Sequence, residues 1–457
     1  MKMRIYDRGF QIVMGTGMKV MPSSKQEVIA GPGSLRRIPD LLLRKRLHRP
    51  LIVTGPRVSK TEFFQRLVTG LQSAEKSIHP VIFDQVEPDP STNLVELVME
   101  MYEAECCDCF IALGGGSNMD AAKAAAAGLT RPGKSLTQLG GLMKIRRRTP
   151  FMIAVPTTAG TGSECTVAAV ITDSRTQRKF AINDPVLCPD VAVLDADLTA
   201  DLPPEIVAAT GMDALTHAVE AYLNRTYHKP GTGALGASML AANAAANAGK
   251  ITAASQGRST AQLCLQAVRD IMLYLPFAYE EAVEKQALRE AARNEDTDGT
   301  VKSREHSMSS SPEGYTRARQ KMLEASFMAG QAFTVACVGN VHAIAHTLGG
   351  LYRIPHGQAN AVLLPVVLED YGRKVSRPLK RLAKAAGLQG DEMSAEGFIA
   401  KIRQMNRDMG MPEGFPQIRD EDLEQMAGWA CMEANPLYPV PVIYNKSDVK
   451  RILKSIR

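Results

Sequence analysis

The sequence has no long apolar run. A helix needs about 20 consecutive apolar residues to span a bilayer, and neither such a run nor the apolar core of a signal peptide occurs here. The excess of positive over negative charge is also small, with a net charge of +6 over 457 residues. The densest basic run is Arg146-Arg147-Arg148. We therefore expect neither a membrane nor a nucleic acid as a partner.

Cysteine and histidine are scarce as well, with eight of each. Cys106, Cys107 and Cys109 stand too close together for a disulfide framework, and no second cysteine pair follows at the spacing of a zinc site. This pattern favours reduced, buried thiols in a cytoplasmic protein.

A chain of this length predicts two domains. Short apolar segments first alternate with helical patterns, which predicts a parallel sheet with right-handed crossovers; the predicted strands cover residues 26–30, 50–55, 79–84, 109–113, 151–155, 167–173 and 191–195. From Pro203-Pro204 onward the pattern is almost entirely helical. We expect an α/β domain over residues 1–201 and a helical domain over residues 202–457, with a polar, exposed insertion near residues 294–314.

Glycines and small hydroxyl residues follow two of the predicted strands. Gly114-Gly115-Gly116-Ser117 comes after the strand at 109–113 and ahead of an alanine-rich helix, and residues 156–164 follow the strand at 151–155. Parallel sheets bind ligands at the carboxyl ends of their strands, and a glycine turn before a helix lets the backbone approach a pyrophosphate. The usual Gly-x-Gly-x-x-Gly pattern is missing, so a tight turn and a solvated loop stay open as alternatives.

Histidines and carboxylates recur at helical spacing in two places. His342 and His346 are four residues apart, as are Asp213 and His217, so each pair shares one helix face. His356 follows shortly after, between a proline and a glycine. Imidazole nitrogens with one carboxylate oxygen suit iron(II) or zinc. A helix charge and a core histidine would explain either pair alone, but the two pairs together favour a metal site. Spacing leaves open which histidines bind the ion.

Four motifs together closely resemble the iron-containing (group III) alcohol dehydrogenases. Residues 114–123 match the family's Gly-Gly-Gly-Ser-x-x-Asp-x-x-Lys, and residues 156–164 match its Pro-Thr-Thr-Ala-Gly-Thr-Gly-Ser-Glu. Residues 211–217 match Gly-x-Asp-Ala-x-Thr-His, and residues 339–361 match its signature of spaced histidines. The likeness runs from about residue 27 to near the C-terminus. It is interrupted by the polar insertion and by extra residues around 227–259.

The resemblance implies a Rossmann-like, parallel-sheet nucleotide-binding domain followed by a helical metal-binding domain, the dehydroquinate synthase-like fold, with the metal in the cleft between them. It implies iron (zinc is possible), NAD or NADP, a small primary alcohol or diol with its aldehyde, and a homodimer. The implied metal ligands are Asp213, His217, His342 and His356. The positions that match cofactor-binding residues are Gly55, Gly115, Gly116, Ser117, Asp120, Thr157, Thr158 and Lys179. His346 matches a histidine beside the nicotinamide, and its implied role is catalytic.

The chain departs from the family at one cofactor position. Many members carry aspartate where this chain has Gly55, and that carboxylate would accept ribose hydroxyls and repel a 2′-phosphate. Here it is missing, and Arg57 and Lys60 lie close in sequence. We therefore expect NADPH to be used within about tenfold of NADH, because such a charge contact is worth roughly 1–2 kcal/mol.

Two alternatives to a dehydrogenase stay open. A carbon–oxygen lyase of the dehydroquinate-synthase type would share the fold, a metal and the nucleotide, but would retain the nicotinamide and bind a phosphorylated acid. Such a site needs clustered basic residues, and Arg353 is the one basic residue in segments 211–221 and 339–354. Val335, Val338 and Ile344 suit a small neutral substrate better. A non-catalytic member of the fold is disfavoured by the intact ligand set.

Overall fold

The computed structural model describes residues 2–20, 26–74, 78–176, 178–228, 258–295 and 312–457. These residues form two compact units. The α/β unit comprises residues 26–198, and the helical unit comprises residues 2–20 together with the described residues from 199 to the C-terminus. The interior of the predicted insertion at 294–314, and most of the extra residues around 227–259, lie outside the described residues.

The α/β unit is built on a six-stranded sheet, and every neighbouring pair in it is parallel. Its strands are β1 (Glu27–Ala30), β2 (Pro50–Val53), β3 (Val81–Phe83), β4 (Cys109–Gly114), β6 (Phe151–Pro156) and β9 (Val191–Leu194), in the spatial order β1-β9-β6-β4-β2-β3. The predicted parallel sheet is confirmed. Strands β2, β4 and β6 are therefore neighbours, and their carboxyl ends lie side by side.

Both faces of this sheet are covered, so its strands are apolar throughout. On β4, Phe110 and Ala112 join one apolar core, whereas Cys109, Ile111 and Leu113 join the other. The covering helices are α2 (Ile38–Lys45), α3 (Glu62–Ser73), α4 (Thr92–Ala104), α5 (Gly116–Thr130) and the short α6 (Leu136–Leu139). Successive side chains along a strand point to opposite faces of the sheet, so they pack alternately into the two cores.

One predicted strand belongs to a different sheet. The segment predicted at 167–173 forms β7 (Ala168–Thr172), which pairs with β8 (Lys179–Asn183) in an antiparallel ladder. Strand β8 also pairs with the two-residue β5 (Gly141–Leu142). The sequence prediction missed β5 and β8, because a two-residue strand has no measurable period and β8 is less buried than the strands of the main sheet.

The helical unit contains ten described helices. They are α1 (Lys2–Val20), α7 (Pro204–Leu223), α8 (Thr260–Glu295), α9 (Pro312–Ala336), α10 (Asn340–Tyr352), α11 (His356–Tyr371), α12 (Ser376–Ala385), α13 (Ala395–Asp408), α14 (Leu423–Ala434) and α15 (Lys446–Ser455). Helix α7 is buried along most of its length and packs against α8, α9 and α11. It is the central helix of this unit.

Helix α1 corrects the predicted domain boundary at the N-terminus. It groups with the helical unit, whereas residues 1–201 were predicted to form one α/β domain. The reason is a polar contact: the fully buried Gln11 side chain donates from Nε2 to the carbonyls of Pro436 and Tyr438, at 3.2 and 2.7 Å. The neighbouring Ile12 and Val13 are exposed.

Among the described helices, none is long and apolar enough to cross a membrane by itself. The bent pair Gly314–Ala336 and Asn340–Tyr352, which meet at 103°, has that length and composition only when the two are taken together. This is weak evidence for a span, because buried core helices pass the same test.

Candidate active site

The glycine turn after β4 lies against the loop after β6. Thr157 donates its backbone N–H to the carbonyl of Gly114 at 3.0 Å. A Cβ atom on Gly116 would come within 3.0 Å of the Thr161 side chain, so only glycine fits there without displacement. Gly115 caps the N-terminus of α5, whose first N–H groups suit a phosphate. Gly115, Gly116, Thr157 and Thr158 are therefore brought together at the carboxyl ends of β4 and β6.

Two further predicted cofactor residues meet through Asp89. The Ser117 hydroxyl accepts from the Asp89 backbone N–H at 3.4 Å, and Lys179 Nζ lies 2.5 Å from Asp89 Oδ1. Asp89 has a left-handed backbone, with φ of 58°. Lys179 is the first residue of β8, 90 positions from Asp89 in the chain, so no local pattern predicts this pair.

Asp120 forms hydrogen bonds within the α/β unit. Its Oδ1 accepts from the Ser163 hydroxyl at 2.8 Å, and its Oδ2 accepts from the Val170 N–H at 3.1 Å. Ser163 also binds Lys123, a fully buried residue whose ammonium donates to Ser163 O, Ser163 Oγ, Thr166 Oγ1 and Ala168 O. We call Asp120, Lys123, Ser163 and Thr166 the lysine cluster. Each Asp120 oxygen thus accepts one hydrogen bond within the protein, and the contact to Val170 links Asp120 to β7; its role as a cofactor contact stays a prediction.

Gly55 lies at the carboxyl end of β2, as the sequence predicts. The residue is buried, and a Cβ atom there would stand 2.7 Å from the Val86 carbonyl oxygen and 3.5 Å from Asn118 Nδ2. Arg57 and Lys60 follow with exposed side chains. Tight packing thus explains the glycine at this position, and two cationic side chains stand free for solvent nearby.

In the helical unit, three predicted metal ligands converge. Asp213, His342 and His356 offer one ligand atom each, all within 4.8 Å of one another. The Nε2 atoms of His342 and His356 each lie 3.5 Å from Asp213 Oδ1. We call these three residues the acceptor cluster. A tetrahedral ion with bonds of about 2.1 Å separates its ligand atoms by about 3.4 Å, so this spacing fits one divalent ion.

Three helices supply the acceptor cluster. Asp213 belongs to the buried α7, His342 is the third residue of α10, and His356 is the first residue of α11. Gly357 allows α11 to begin here, because a Cβ atom would overlap the Ala209 carbonyl of α7. The Pro-His-Gly sequence thus places an imidazole at a helix start that touches α7.

His217 lies beside the acceptor cluster, one turn after Asp213 on α7. Its Nε2 is 4.0 Å from Asp213 Oδ1. Its ring stacks on His342 with centroids 4.5 Å apart and on Phe333 with centroids 4.2 Å apart. It is the one predicted ligand outside the group of three, although its Nε2 faces the same carboxylate.

Glu220 supports the cluster, and the sequence analysis missed it. This carboxylate is 3% exposed and accepts from His342 Nδ1 at 2.7 Å. It also accepts from the N–H groups of Gly339 and Val341, at 2.8 and 2.7 Å, at the start of α10. The signal was present, because Glu220 follows Asp213 and His217 at spacing i+7 and i+3 in an apolar helix.

Asn360 is the second residue that the sequence analysis missed. It is fully buried, one turn after His356, and its Nδ2 lies 2.7 Å from Asp213 Oδ1. The same atom is 3.2 and 3.1 Å from the Nε2 atoms of His342 and His356. An amide N–H group thus contacts the three lone-pair atoms that a cation would bind.

The electrostatics of the cluster favour a positive charge among these side chains, which a bound proton or a bound cation can supply. Burial opposes the charge of Asp213, but the imidazoles of His217, His356 and His342 hold the pKa of that carboxyl well below its usual value. Burial favours a neutral His342, yet its hydrogen bonds to Asp213 and Glu220 raise its pKa to about 9. Because Glu220 takes the Nδ1–H of His342, its Nε2 is directed to the ligand side, the usual arrangement for a metal-bound histidine. The residues present fit iron(II) or zinc.

His346 lies next to the acceptor cluster but does not belong to it. Its ring stacks on His356 with centroids 5.1 Å apart and an interplanar angle of 15°. Its Nδ1 is 2.7 Å from Glu433 Oε1, and its side chain is 41% exposed. His346 therefore has a carboxylate partner of its own, Glu433. This agrees with the resemblance, which does not count His346 among the metal ligands.

Known proteins are similar to this chain in sequence and in fold. An NADPH-dependent butanol dehydrogenase of Clostridium saccharobutylicum is 29% identical, with 94% of this chain and 96% of that protein covered. An NAD-dependent methanol dehydrogenase of Bacillus methanolicus is 28% identical, with 93% and 97% covered. The crystal structure of a 1,3-propanediol oxidoreductase has a TM-score of 0.74 at 29% identity and covers 94% of this chain and 99% of that one.

Two family descriptions match the chain itself. "Iron-containing alcohol dehydrogenase" matches residues 25–196, and "Fe-containing alcohol dehydrogenase family, C-terminal" matches residues 305–457. Together they cover more than half of the sequence, including the glycine turn and the two histidine-bearing helices α10 and α11. The chain belongs to the iron-containing alcohol dehydrogenase family.

Proposed function

We propose that this protein is an NAD(P)-dependent, iron-type alcohol dehydrogenase that interconverts small primary alcohols or diols and their aldehydes. The observation that carries the proposal is the acceptor cluster, in which a buried carboxylate and two imidazoles present lone pairs to one point. The names of the relatives, which include a butanol and a methanol dehydrogenase, support the substrate class.

In this proposal, Asp213, His217, His342 and His356 hold the ion, and Glu220 fixes the ring of His342. The ion would polarise the substrate oxygen as a Lewis acid, and the nicotinamide would carry the hydride. His346, with Nδ1 directed at Glu433, would present Nε2 to the cofactor or to the alcohol proton. Zinc is the alternative ion for the same donors.

The pyrophosphate of the cofactor would bind at the N-terminus of α5. Gly115 and Gly116 stand at the start of that helix, and the hydroxyls of Ser117, Thr157 and Thr158 would donate to the phosphates. Lys179 supplies a positive charge, shared with Asp89. We propose that both NAD and NADP are used, because no carboxylate stands at Gly55.

The test measures NAD(P)H oxidation with propanal by the purified protein after iron(II) loading. We expect net consumption of the reduced cofactor and, in reverse, reduction of NAD(P) by propanol. A lyase that retains its nicotinamide would show no net consumption with any aldehyde, and neither would a non-catalytic protein. A panel of alcohols and diols, assayed with both cofactors, would then define the substrate.

The state of the protein in the cell is part of the proposal. A cytoplasmic location and a homodimer remain predictions from the sequence and the family. Sedimentation of the purified protein measures the second, with a mass near twice 49.5 kDa expected.

A further inference from the structure

A carboxylate contacts the imidazole of His346, and a phenol hydroxyl donates to that carboxylate. His346 Nδ1 lies 2.7 Å from Glu433 Oε1, and the Tyr438 hydroxyl donates to that same oxygen at 3.0 Å. These residues come from α10, from the last turn of α14 and from the segment that follows α14. Neither Glu433 nor Tyr438 falls in a motif that the sequence analysis used.

The backbone around this carboxylate is fixed. Tyr438 donates its N–H to the Ala434 carbonyl at 2.8 Å, and its own carbonyl accepts from Gln11 Nε2 at 2.7 Å. Burial, and then the charge of Glu433, raise the pKa of Tyr438 well above its ordinary value, so its hydroxyl remains a hydrogen donor. The Glu433 oxygen therefore has two donors with defined directions.

This geometry selects one form of the imidazole. A neutral histidine carries its hydrogen on one nitrogen, and a carboxylate 2.7 Å from Nδ1 requires that hydrogen on Nδ1. Nε2 is then left with a free lone pair. The His346 and Glu433 side chains are 41% and 31% exposed, and an exposed pair of this kind adds little to stability. The contribution of the His346–Glu433 pair is therefore to orient the imidazole ring.

We propose that Glu433, aided by Tyr438, is a positioning residue that holds His346 as the Nδ1–H tautomer with Nε2 available to substrate or cofactor. The proposal rests on the function proposed above, because it gives His346 its task. When an alcohol is oxidised, its hydroxyl proton would pass to Nε2, while its C–H hydride leaves on the nicotinamide. Glu433 would not touch substrate, and it would act only through His346.

A double-mutant cycle tests the coupling. We expect Glu433→Leu to lower kcat by about 10–100-fold with little change in KM, the usual cost of losing a carboxylate that orients a working histidine. Glu433→Gln keeps an oxygen acceptor that Tyr438 can hold in place, so it should recover most of kcat. In a His346→Ala background, Glu433→Leu should cost nothing further.

A matched control removes a carboxylate from the same helix. Glu424, at the start of α14, lies nine positions before Glu433 and pairs with Lys446 at 2.8 Å and with Lys450. Glu424→Gln should leave kcat unchanged. The proposal is overturned if Glu433→Leu is as active as wild type, or if it lowers kcat equally with and without His346.

A second measurement does not depend on activity. The long-range 1H–15N spectrum of zinc-loaded protein with 15N-labelled histidine rings reports which nitrogen carries the hydrogen, and the His346→Ala variant identifies the signal. We expect the Nδ1–H form in wild type and its loss in Glu433→Leu; an unchanged ring, or an Nε2–H form in wild type, contradicts the inference. If wild type oxidises no NAD(P)H with any aldehyde, the proposed function fails, while this spectrum still decides the role of Glu433.

Discussion

Each of the two units contains a polar cluster, and the two clusters differ in whether they contain a cation of their own. In the lysine cluster of the α/β unit, the ammonium of Lys123 meets four protein acceptors at 2.5–3.1 Å. In the acceptor cluster of the helical unit, a carboxylate and two imidazoles converge, and an amide N–H of Asn360 is the donor they share. The first arrangement contains its own cation, whereas the second has the donor set of a cation site.

This difference separates a structural charge from a ligand site. Burying an ion is costly unless hydrogen bonds satisfy it, and Lys123 is fully satisfied within the protein. The acceptor cluster brings acceptor atoms together around the buried Asp213 and His342, and acceptor atoms of this kind are stabilised by a metal ion. Burial alone therefore does not identify a functional site; the balance of donors and acceptors does.

The largest effect should follow from removing a member of the acceptor cluster. His356→Ala takes away one of three converging ligand atoms, so bound iron or zinc should fall, and activity should drop by more than about 10²-fold, the upper cost of losing a partner that merely orients a ligand. Elemental analysis and steady-state rates measure both. Loss of a ligand that stabilises only the folded state should also lower Tm.

His217→Ala sharpens this prediction, because His217 lies beside the group of three. As an implied ligand it should also lose metal and activity together. Full metal occupancy in His217→Ala would show that its stacking on His342 and Phe333, and not coordination, is its role.

The next effect separates His346 from the metal ligands. His346→Ala should keep its metal and lose about 10²–10⁴-fold in turnover, the typical contribution of a positioned proton-transfer group. Elemental analysis of His346→Ala beside His356→Ala decides the assignment. A metal-free His346→Ala and a metal-replete His356→Ala would reverse the two roles.

Removing the ammonium from the lysine cluster should lower the stability of the α/β unit. Lys123→Met leaves four acceptors without their shared donor, so the free energy of unfolding of the α/β unit should fall by about 3–5 kcal/mol. Trp429, the one tryptophan of the chain, lies on α14 of the helical unit. Far-UV circular dichroism should therefore change at lower urea than tryptophan fluorescence. Metal content per folded chain should stay the same; a loss of metal would make the two clusters one functional unit.

Sequence patterns predicted the parts of the molecule in which local period and tertiary burial agree. Apolar segments such as 109–113 became central strands, and the spacing of Asp213 and His217 on α7 was right for one helix face. Helix α1 escaped prediction because its burial is inverted, with Gln11 buried and Ile12 exposed. A pattern rule that puts apolar residues inside fails where a polar contact fixes the helix.

Long-range contacts set the second limit. Glu220 binds a histidine 122 positions away, and Asn360 binds Asp213 across 147 positions. Spacing within one helix can place Glu220 on the same face as Asp213 and His217, but it does not show which distant residues these side chains contact. The family resemblance supplied the ligand set, while the structure supplied the residues that orient it.

The smallest effect concerns a position of the α/β unit that has no carboxylate. With Gly55 at the end of β2, NADPH should be used within about tenfold of NADH, since one charge contact is worth roughly 1–2 kcal/mol. Gly55→Asp is a poor test, because its Cβ atom would stand 2.7 Å from the Val86 carbonyl oxygen. The variant Arg57→Ala is the better test, since this exposed side chain lies two residues past the glycine.

The Arg57→Ala variant should raise KM for NADPH by up to about tenfold and leave KM for NADH unchanged. Arg66→Ala, which removes an exposed arginine paired with Glu62 on α3, is the matched control and should change neither. A wild type that discriminates against NADPH by several orders of magnitude would contradict the role of the missing carboxylate. An Arg57→Ala variant with KM raised equally for both cofactors would contradict a contact between Arg57 and the 2′-phosphate.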